Sequence, residues 1–140
     1  KYGRYHGIVY FVGNNSDWDD IKKWLTFLEG QSEARKKYLK VYFVYGNADN
    51  YKKEKRQIEL ENIGRELNLK NIALTFVPSF ADTETEANLN KVNPEVVNTF
   101  IIYRNRTIIN KFINLNPSEE NFLIIARELD TNKGEYFELD

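Results

Sequence analysis

The sequence predicts an α/β fold: a central mixed sheet, parallel in its first strands and closed by a C-terminal antiparallel hairpin, flanked by helices. Three observations predict it. The run Ile8-Val9-Tyr10-Phe11-Val12 is apolar at every position and rich in β-formers, the pattern of a strand buried on both faces of a parallel sheet. Strand-like and helix-like segments then alternate as far as Pro78. Finally, Thr99 to Tyr103 and Thr107 to Ile113 are β-rich runs separated by Arg104-Asn105-Arg106, which reads as an antiparallel hairpin.

Gly13-Asn14-Asn15 ends the first strand as a turn. Ser16 then stands ahead of a helical pattern with Asp19 three positions on, a capping box in which Ser16 caps the helix. Trp18, Ile21, Trp24, Leu25 and Leu28 form one apolar stripe, with Asp20, Lys22, Lys23 and Glu29 off it. Gly30 closes this helix. Leu39 to Tyr45 is the next strand. It repeats the Val-Tyr-Phe-Val of positions 9–12 and is again followed by glycine and asparagine, Gly46-Asn47, so the two segments read as neighbouring central strands in the same environment.

A charged stretch from Lys52 to Gln57 leads into Ile58, Leu60, Ile63, Leu67 and Leu69, helical in spacing but with Gly64 inside. Glycine there costs about 1 kcal/mol relative to alanine, which points to close approach to the sheet. Ile72 to Val77 is a third strand, stopped by Pro78. Phe80 to Pro94 has an acidic middle, Asp82-Thr83-Glu84-Thr85-Glu86, and reads as a long surface connection with room for one short helix. A last helix begins after Asn116, with Pro117 at its first position, Glu119-Glu120 in its first turn and Phe122, Ile125 and Leu129 on its apolar face. Thr131 to Asp140 is an acidic tail, loose or docked through Tyr136-Phe137.

With 140 residues, 1–140 is expected to form one domain, burying roughly two-thirds of the surface that the unfolded chain exposes. Nine Phe, nine Tyr and two Trp supply a bulky interior without disulfides or metal staples. A net charge of −1 creates no field to gather nucleic acid or an anionic membrane. No apolar run approaches the roughly 20 residues needed to cross a bilayer. The chain has no methionine, even at position 1, which fits a mature form, an excised domain or a trimmed product, with part of a larger polypeptide as one of the readings left open.

Ile8-Val9-Tyr10-Phe11-Val12-Gly13-Asn14-Asn15-Ser16 resembles the strand that delivers the first active-site cysteine of thioredoxin-like proteins to a helix start. Leu39 to Asp49 is similar to the next strand and its exit loop, and Asn98-Thr99-Phe100-Ile101-Ile102-Tyr103-Arg104-Asn105 to the strand that lies opposite the active site. The element order resembles the redoxin or TlpA-like variant of that fold. The departures are chemical. Where the family carries C-x-x-C, this chain reads Ser16-Asp17-Trp18-Asp19, and the family's cis-proline falls on Val97 or Asn98. The resemblance therefore implies a fold without thiol chemistry and a trans backbone at that position, since a non-proline cis bond costs about 2.5 to 4 kcal/mol. It also implies a partner-binding groove between two segments: Asn14, Asn15, Ser16, Asp17, Trp18 and Asp19 on one side, Val97, Asn98 and Thr99 on the other. Such a groove accepts a protein or extended peptide by backbone pairing. Family members also occur outside the cytoplasm.

No catalytic residue, cofactor or metal is assigned. A nucleophilic Ser16 needs a base, and the single histidine, His6, lies at the far end of the same strand and reads as a surface residue. Asp17, Asp19 and Asp20 suit a hard cation, but carboxylates also favour the positive end of a helix. Lys52, Lys53, Lys55 and Arg56 read as a solvated helix face. Trp18 belongs either to the core stripe or to the groove. The reading is a redox-inactive module that binds a protein or peptide, or is structural; the alternative is a non-thiol enzyme or metal-binding domain using the Asp17-Asp19-Asp20 turn.

Overall fold

The computed structural model describes residues 6–14, 16–35, 39–79, 96–104 and 107–132. Five strands form one sheet: β1 (His6–Val12), β2 (Leu39–Tyr45), β3 (Ile72–Phe76), β4 (Asn98–Arg104) and β5 (Thr107–Ile113), in the order β3-β2-β1-β4-β5. β1, β2 and β3 run parallel, while β4 lies antiparallel to β1 and β5 antiparallel to β4. β1 is the central strand, and only Val9 in it is less than fully buried. The mixed sheet and its hairpin are as the apolar runs predict; the connection at 80–94 lies outside the described residues.

The repeated tetrapeptide behaves differently in its two strands. β1 and β2 are neighbours, but Val9 pairs with Tyr42 and Tyr10 with Phe43, a one-residue offset between the repeats. Side chains alternate faces along a strand, so the offset sends each repeat residue to the opposite face in the other strand. Tyr10 and Val12 of β1 enter the main core, as do Val41 and Phe43 of β2, whereas Tyr42 is exposed. The two repeats are adjacent without sharing an environment.

Among the described residues three helices cover the main-core face: α1 (Trp18–Ala34), α2 (Lys53–Glu66) and α3 (Glu119–Asn132). Ile21, Trp24, Leu25 and Leu28 of α1 are buried as the stripe requires. In α2 the buried positions are Arg56, Leu60 and Ile63, at i, i+4 and i+7, and Ile58 faces solvent instead. In α3 Ile125 and Leu129 are fully buried. Tyr10 stacks on Phe100 at 4.6 Å between ring centres, and Trp24 sits 4.5 Å from Phe100. On the opposite face Phe11 and Ile101 are buried among Val9, Val44 and Val77.

Helix ends depart from expectation for local reasons. α1 runs through Gly30 to Ala34, because Gln31 and Ser32 carbonyls still bond the Arg35 amide. α3 begins at Glu119, and its cap is Ser118: the Ser118 carbonyl accepts from Phe122 N at 2.8 Å and its hydroxyl from Asn121 N at 3.3 Å. Pro117 therefore precedes the cap. α3 also absorbs Thr131 and Asn132, which the sequence places in the tail. Gly64 does mark close approach, since a Cβ there would lie 3.2 Å from Leu74 Cδ1. Among the described residues no helix is long and apolar enough to cross a membrane.

Gly7 carries a stronger constraint. It pairs with Tyr103 across β1 and β4, and a Cβ at Gly7 would meet the Tyr103 ring at 2.3 Å. The ring uses the space that the missing side chain leaves. Gly7→Ala is expected to destabilise the protein by about 1 to 3 kcal/mol in a urea melt, as overpacking does. In a Tyr103→Ala background the same change should cost under half of that. Equal costs in both backgrounds would rule out the close approach as the cause.

Candidate functional site at the start of the first helix

β1 delivers the chain to α1 through Gly13, Asn14 and Ser16, with Asn15 outside the described residues. The helix begins one residue later than the capping-box pattern suggests. Asp17 is the N-cap: its backbone is extended, its carbonyl accepts from Ile21 N at 3.0 Å, and its Oδ1 accepts from Asp19 N at 2.8 Å. A carboxylate outcompetes a hydroxyl here, because it forms a charge-assisted bond at the positive end of the helix. Ser16 is not the cap. Its Oγ is buried and, among the described residues, has no hydrogen-bond partner.

The facing segment is bound into the protein on both sides. Gly13 N donates to the Val97 carbonyl at 3.5 Å, which brings the β1–α1 turn against residues 96–99. Val97 N donates to Asn114 Oδ1 at 2.8 Å. Asn98 is 3 % exposed, and its side-chain amide makes a two-point clasp on Leu115: Nδ2 donates to the Leu115 carbonyl at 2.8 Å and Oδ1 accepts from Leu115 N at 3.0 Å. Asn114 turns the chain with φ of 54°, the left-handed region that asparagine tolerates, and donates its amide to the Asn98 carbonyl at 3.0 Å. Thr99 is buried beside them. No cis peptide bond occurs among the described residues, so the Val97–Asn98 bond is trans.

A polar and aromatic cluster supports the other flank. Asn14 Oδ1 accepts from Ala48 N at 3.0 Å, tying the turn to the β2 exit loop. Trp18 is half-buried and leans on Tyr45 with ring centres 5.0 Å apart. Behind Tyr45, Arg56 is 4 % exposed, with its guanidinium 4.6 Å from the Tyr45 ring centre and 5.5 Å from that of Tyr51. Its Nη1 donates to the Asn47 carbonyl at 2.9 Å, its Nη2 to the Asp49 carbonyl at 3.4 Å, and its Nε meets Glu59 at 3.3 Å. Arg56 is thus a buried clamp on the exit loop and not part of a solvated face. Its spacing with Leu60 and Ile63 is the sequence signal that marks it. Nothing in the spacing of Asn98, Asn114 and Leu115 announces their clasp, which depends on the sheet register.

Little reaction chemistry converges at this place. Asp17 is engaged as the cap, and among the described residues no group of three or more His, Cys, Asp or Glu side chains is arranged to hold a metal ion. His6 is not at the surface: it is fully buried at the opposite end of β1.

No protein-family profile matches the sequence, and no curated protein matches it. Solved structures do match the fold. A Chlorobium tepidum protein assigned as the thiol:disulfide interchange protein DsbE superposes with a TM-score of 0.67 at 10 % identity, covering 93 % of this chain and 81 % of its own. The yeast mitochondrial 1-Cys peroxiredoxin gives 0.56 at 14 % identity, covering 94 % and 68 %, and the mitochondrial 2-Cys peroxiredoxin of Plasmodium falciparum gives 0.54 at 15 %, covering 92 % and 76 %. The chain therefore has the thioredoxin-like fold, in the form shared by DsbE-like proteins and peroxiredoxins, and it has it without a single cysteine.

Two stability measurements check this geometry. Asp17→Ala should cost about 0.5 to 2 kcal/mol, whereas Ser16→Ala should be neutral or stabilising, since it removes a buried unpaired hydroxyl. The reverse ranking would return the cap to Ser16. Asn98→Ala should cost about 1 to 3 kcal/mol by leaving the part-buried Leu115 N–H without a partner, while the Leu115 carbonyl keeps its bond from Trp24 Nε1; a loss under 0.5 kcal/mol would show that the clasp is dispensable.

Proposed function

We propose that this chain is a redox-inactive thioredoxin-like module that presents a preformed surface, centred on Trp18 and Val97, to a protein partner. Thiol–disulfide exchange needs a thiolate, and this chain contains no cysteine to supply one. What stands at the corresponding place is a turn tied down by the Gly13–Val97 and Asn14–Ala48 hydrogen bonds. Both main-chain groups of Val97 are used internally, so strand pairing of a peptide at that residue is pre-empted. Recognition accordingly rests on side chains. Trp18, supported by Tyr45 and Arg56, supplies an aromatic face, and Val97 stands 37 % exposed beside the Gly13 bond that joins the two segments. Tryptophan held rigid by its neighbours is well suited to this task, since little side-chain entropy is lost on contact.

The observation that supports this reading is the Gly13–Val97 hydrogen bond, which brings two segments distant in sequence side by side. The test uses reduced, carboxymethylated α-lactalbumin as an unfolded polypeptide probe without free thiols. Titrated into the isotope-labelled protein, it should move the amide signals of Gly13, Asn14 and Val97 and the Trp18 indole, and Trp18→Ala should weaken the effect at least tenfold. Shifts confined to other segments, or no shifts at millimolar probe, would overturn the proposal.

A further inference from the structure

Away from the candidate site, α1 and α3 leave a groove of about 420 Å³ between them, lined by Lys22, Lys23, Thr26 and Phe27 of α1 and by Phe122 of α3. Helical spacing puts Phe27 three residues after the buried Trp24 and Phe122 three before the buried Ile125, so each ring stands at the margin of its helix's core stripe and is only half-buried. The two rings stack with centres 4.4 Å apart and 7° between their planes. Both also meet the Trp24 indole edge-on, Phe27 at 5.8 Å and Phe122 at 4.8 Å. The floor of the groove is therefore an aromatic pair wedged against the core.

Both charged residues of the lining are lysines. Lys22 Nζ holds the Glu66 carboxylate of α2 at 2.9 Å. Lys23 is exposed and has no ion pair among the described residues. The carboxylates in the first turns of the two helices, Asp19 and Asp20 on α1 and Glu119 and Glu120 on α3, are not part of the lining. An aromatic floor with an uncommitted ammonium at its rim complements an apolar group that carries negative charge beside it. Depth decides the size of the occupant. Lys23 and Thr26 are exposed and the rings half-buried, so a free small carboxylate would keep much of its surface in water, whereas ligand pockets bury most of their ligand. A protein segment brings its own surface to exclude water around the anchor.

We infer that the groove between α1 and α3 docks an acidic segment of a partner protein, which seats one bulky apolar side chain on the Phe27–Phe122 pair and sets an adjacent carboxylate against Lys23. The groove shares no residue with the surface centred on Trp18 and Val97 and does not depend on that proposal.

Three acetylated and amidated peptides test this: Glu-Glu-Phe-Leu-Glu-Glu, its basic counterpart Lys-Lys-Phe-Leu-Lys-Lys, and Glu-Glu-Ser-Gly-Glu-Glu, which keeps the charge and lacks the anchor. At low ionic strength the first should move the amide NMR signals of Lys23, Thr26, Phe27 and Phe122 and leave those of Gly13 and Val97 in place. The other two should bind about fivefold more weakly or worse. Lys23→Glu, at an exposed position, should reverse the preference between the acidic and basic peptides, and Thr26→Trp, which fills the groove from its rim, should abolish the response to the first. Equal responses to acidic and basic peptides, an unchanged preference in Lys23→Glu, or no shifts at millimolar peptide would overturn the proposal. So would saturation by 4-phenylbutyrate at a lower concentration than the peptide, which assigns the groove to a small carboxylate, or concentration-dependent shifts of the same signals without peptide, which assign it to a second copy of the chain.

Discussion

Tyr10 and Phe100 stack at 4.6 Å on neighbouring antiparallel strands, and Trp24 of α1 closes over Phe100 at 4.5 Å. That aromatic slab determines where everything else lies. It presses α1 onto the sheet at β1 and β4, and it orients the Trp24 indole so that Nε1 donates to the Leu115 carbonyl at 3.1 Å. Leu115 is the residue whose amide and carbonyl Asn98 also holds. The core and the β4 start are therefore joined at one backbone residue, and removal of Trp24 to alanine would be expected to cost about 3 to 5 kcal/mol on packing alone.

The same arrangement explains how the fold persists without the chemistry of the proteins it resembles structurally. A helix start stabilises negative charge, and here that charge is supplied by the Asp17 cap with Asp19 and Asp20 behind it in the first turn. The segment opposite is not an open main-chain edge at Val97 and Asn98, because Gly13 N and Asn114 Oδ1 engage the Val97 carbonyl and amide and Asn114 N engages the Asn98 carbonyl. Arg56, buried under Tyr45 and Tyr51 with three oxygen partners, fixes the exit loop of β2 beside the turn. Hydrogen bonds from a guanidinium to carbonyls are among the stronger ones available to a buried group, and they make this flank rigid.

Much of the architecture was legible in the sequence because hydrophobic periodicity reports burial directly. The unbroken run of β1, the stripe on α1 and the two runs of the hairpin each match the observed elements. What escaped reading depends on register or on competition between near-equal groups. Whether Ser16 or Asp17 caps α1 turns on one residue of phase, which charge decides. The Val-Tyr-Phe-Val repeats look equivalent until a one-residue offset sends them to opposite faces. His6 and Arg56 are polar types that are usually exposed; His6 is covered by its place on the core-facing side of β1, and Arg56 is buried with carbonyl partners brought from the β2 exit loop. The clasp of Asn98 on Leu115 spans 17 positions and follows only from the pairing of β4 with β5.

The central claim is that hydrogen bonds within the chain lock residues 96–99 to the β1–α1 turn and to the segment after β5. Amide hydrogen exchange of Val97 and Leu115, measured at pH 7 in the native protein, tests it most directly. The Leu115 amide donates to an oxygen of buried Asn98 and should exchange as slowly as the β1 and β4 core amides, while the Val97 amide, held by the exposed Asn114, should exchange clearly more slowly than an unstructured peptide. Exchange of either amide at rates near those of an unstructured peptide, while the sheet stays protected, would contradict the account and leave the segment free for main-chain pairing with a partner.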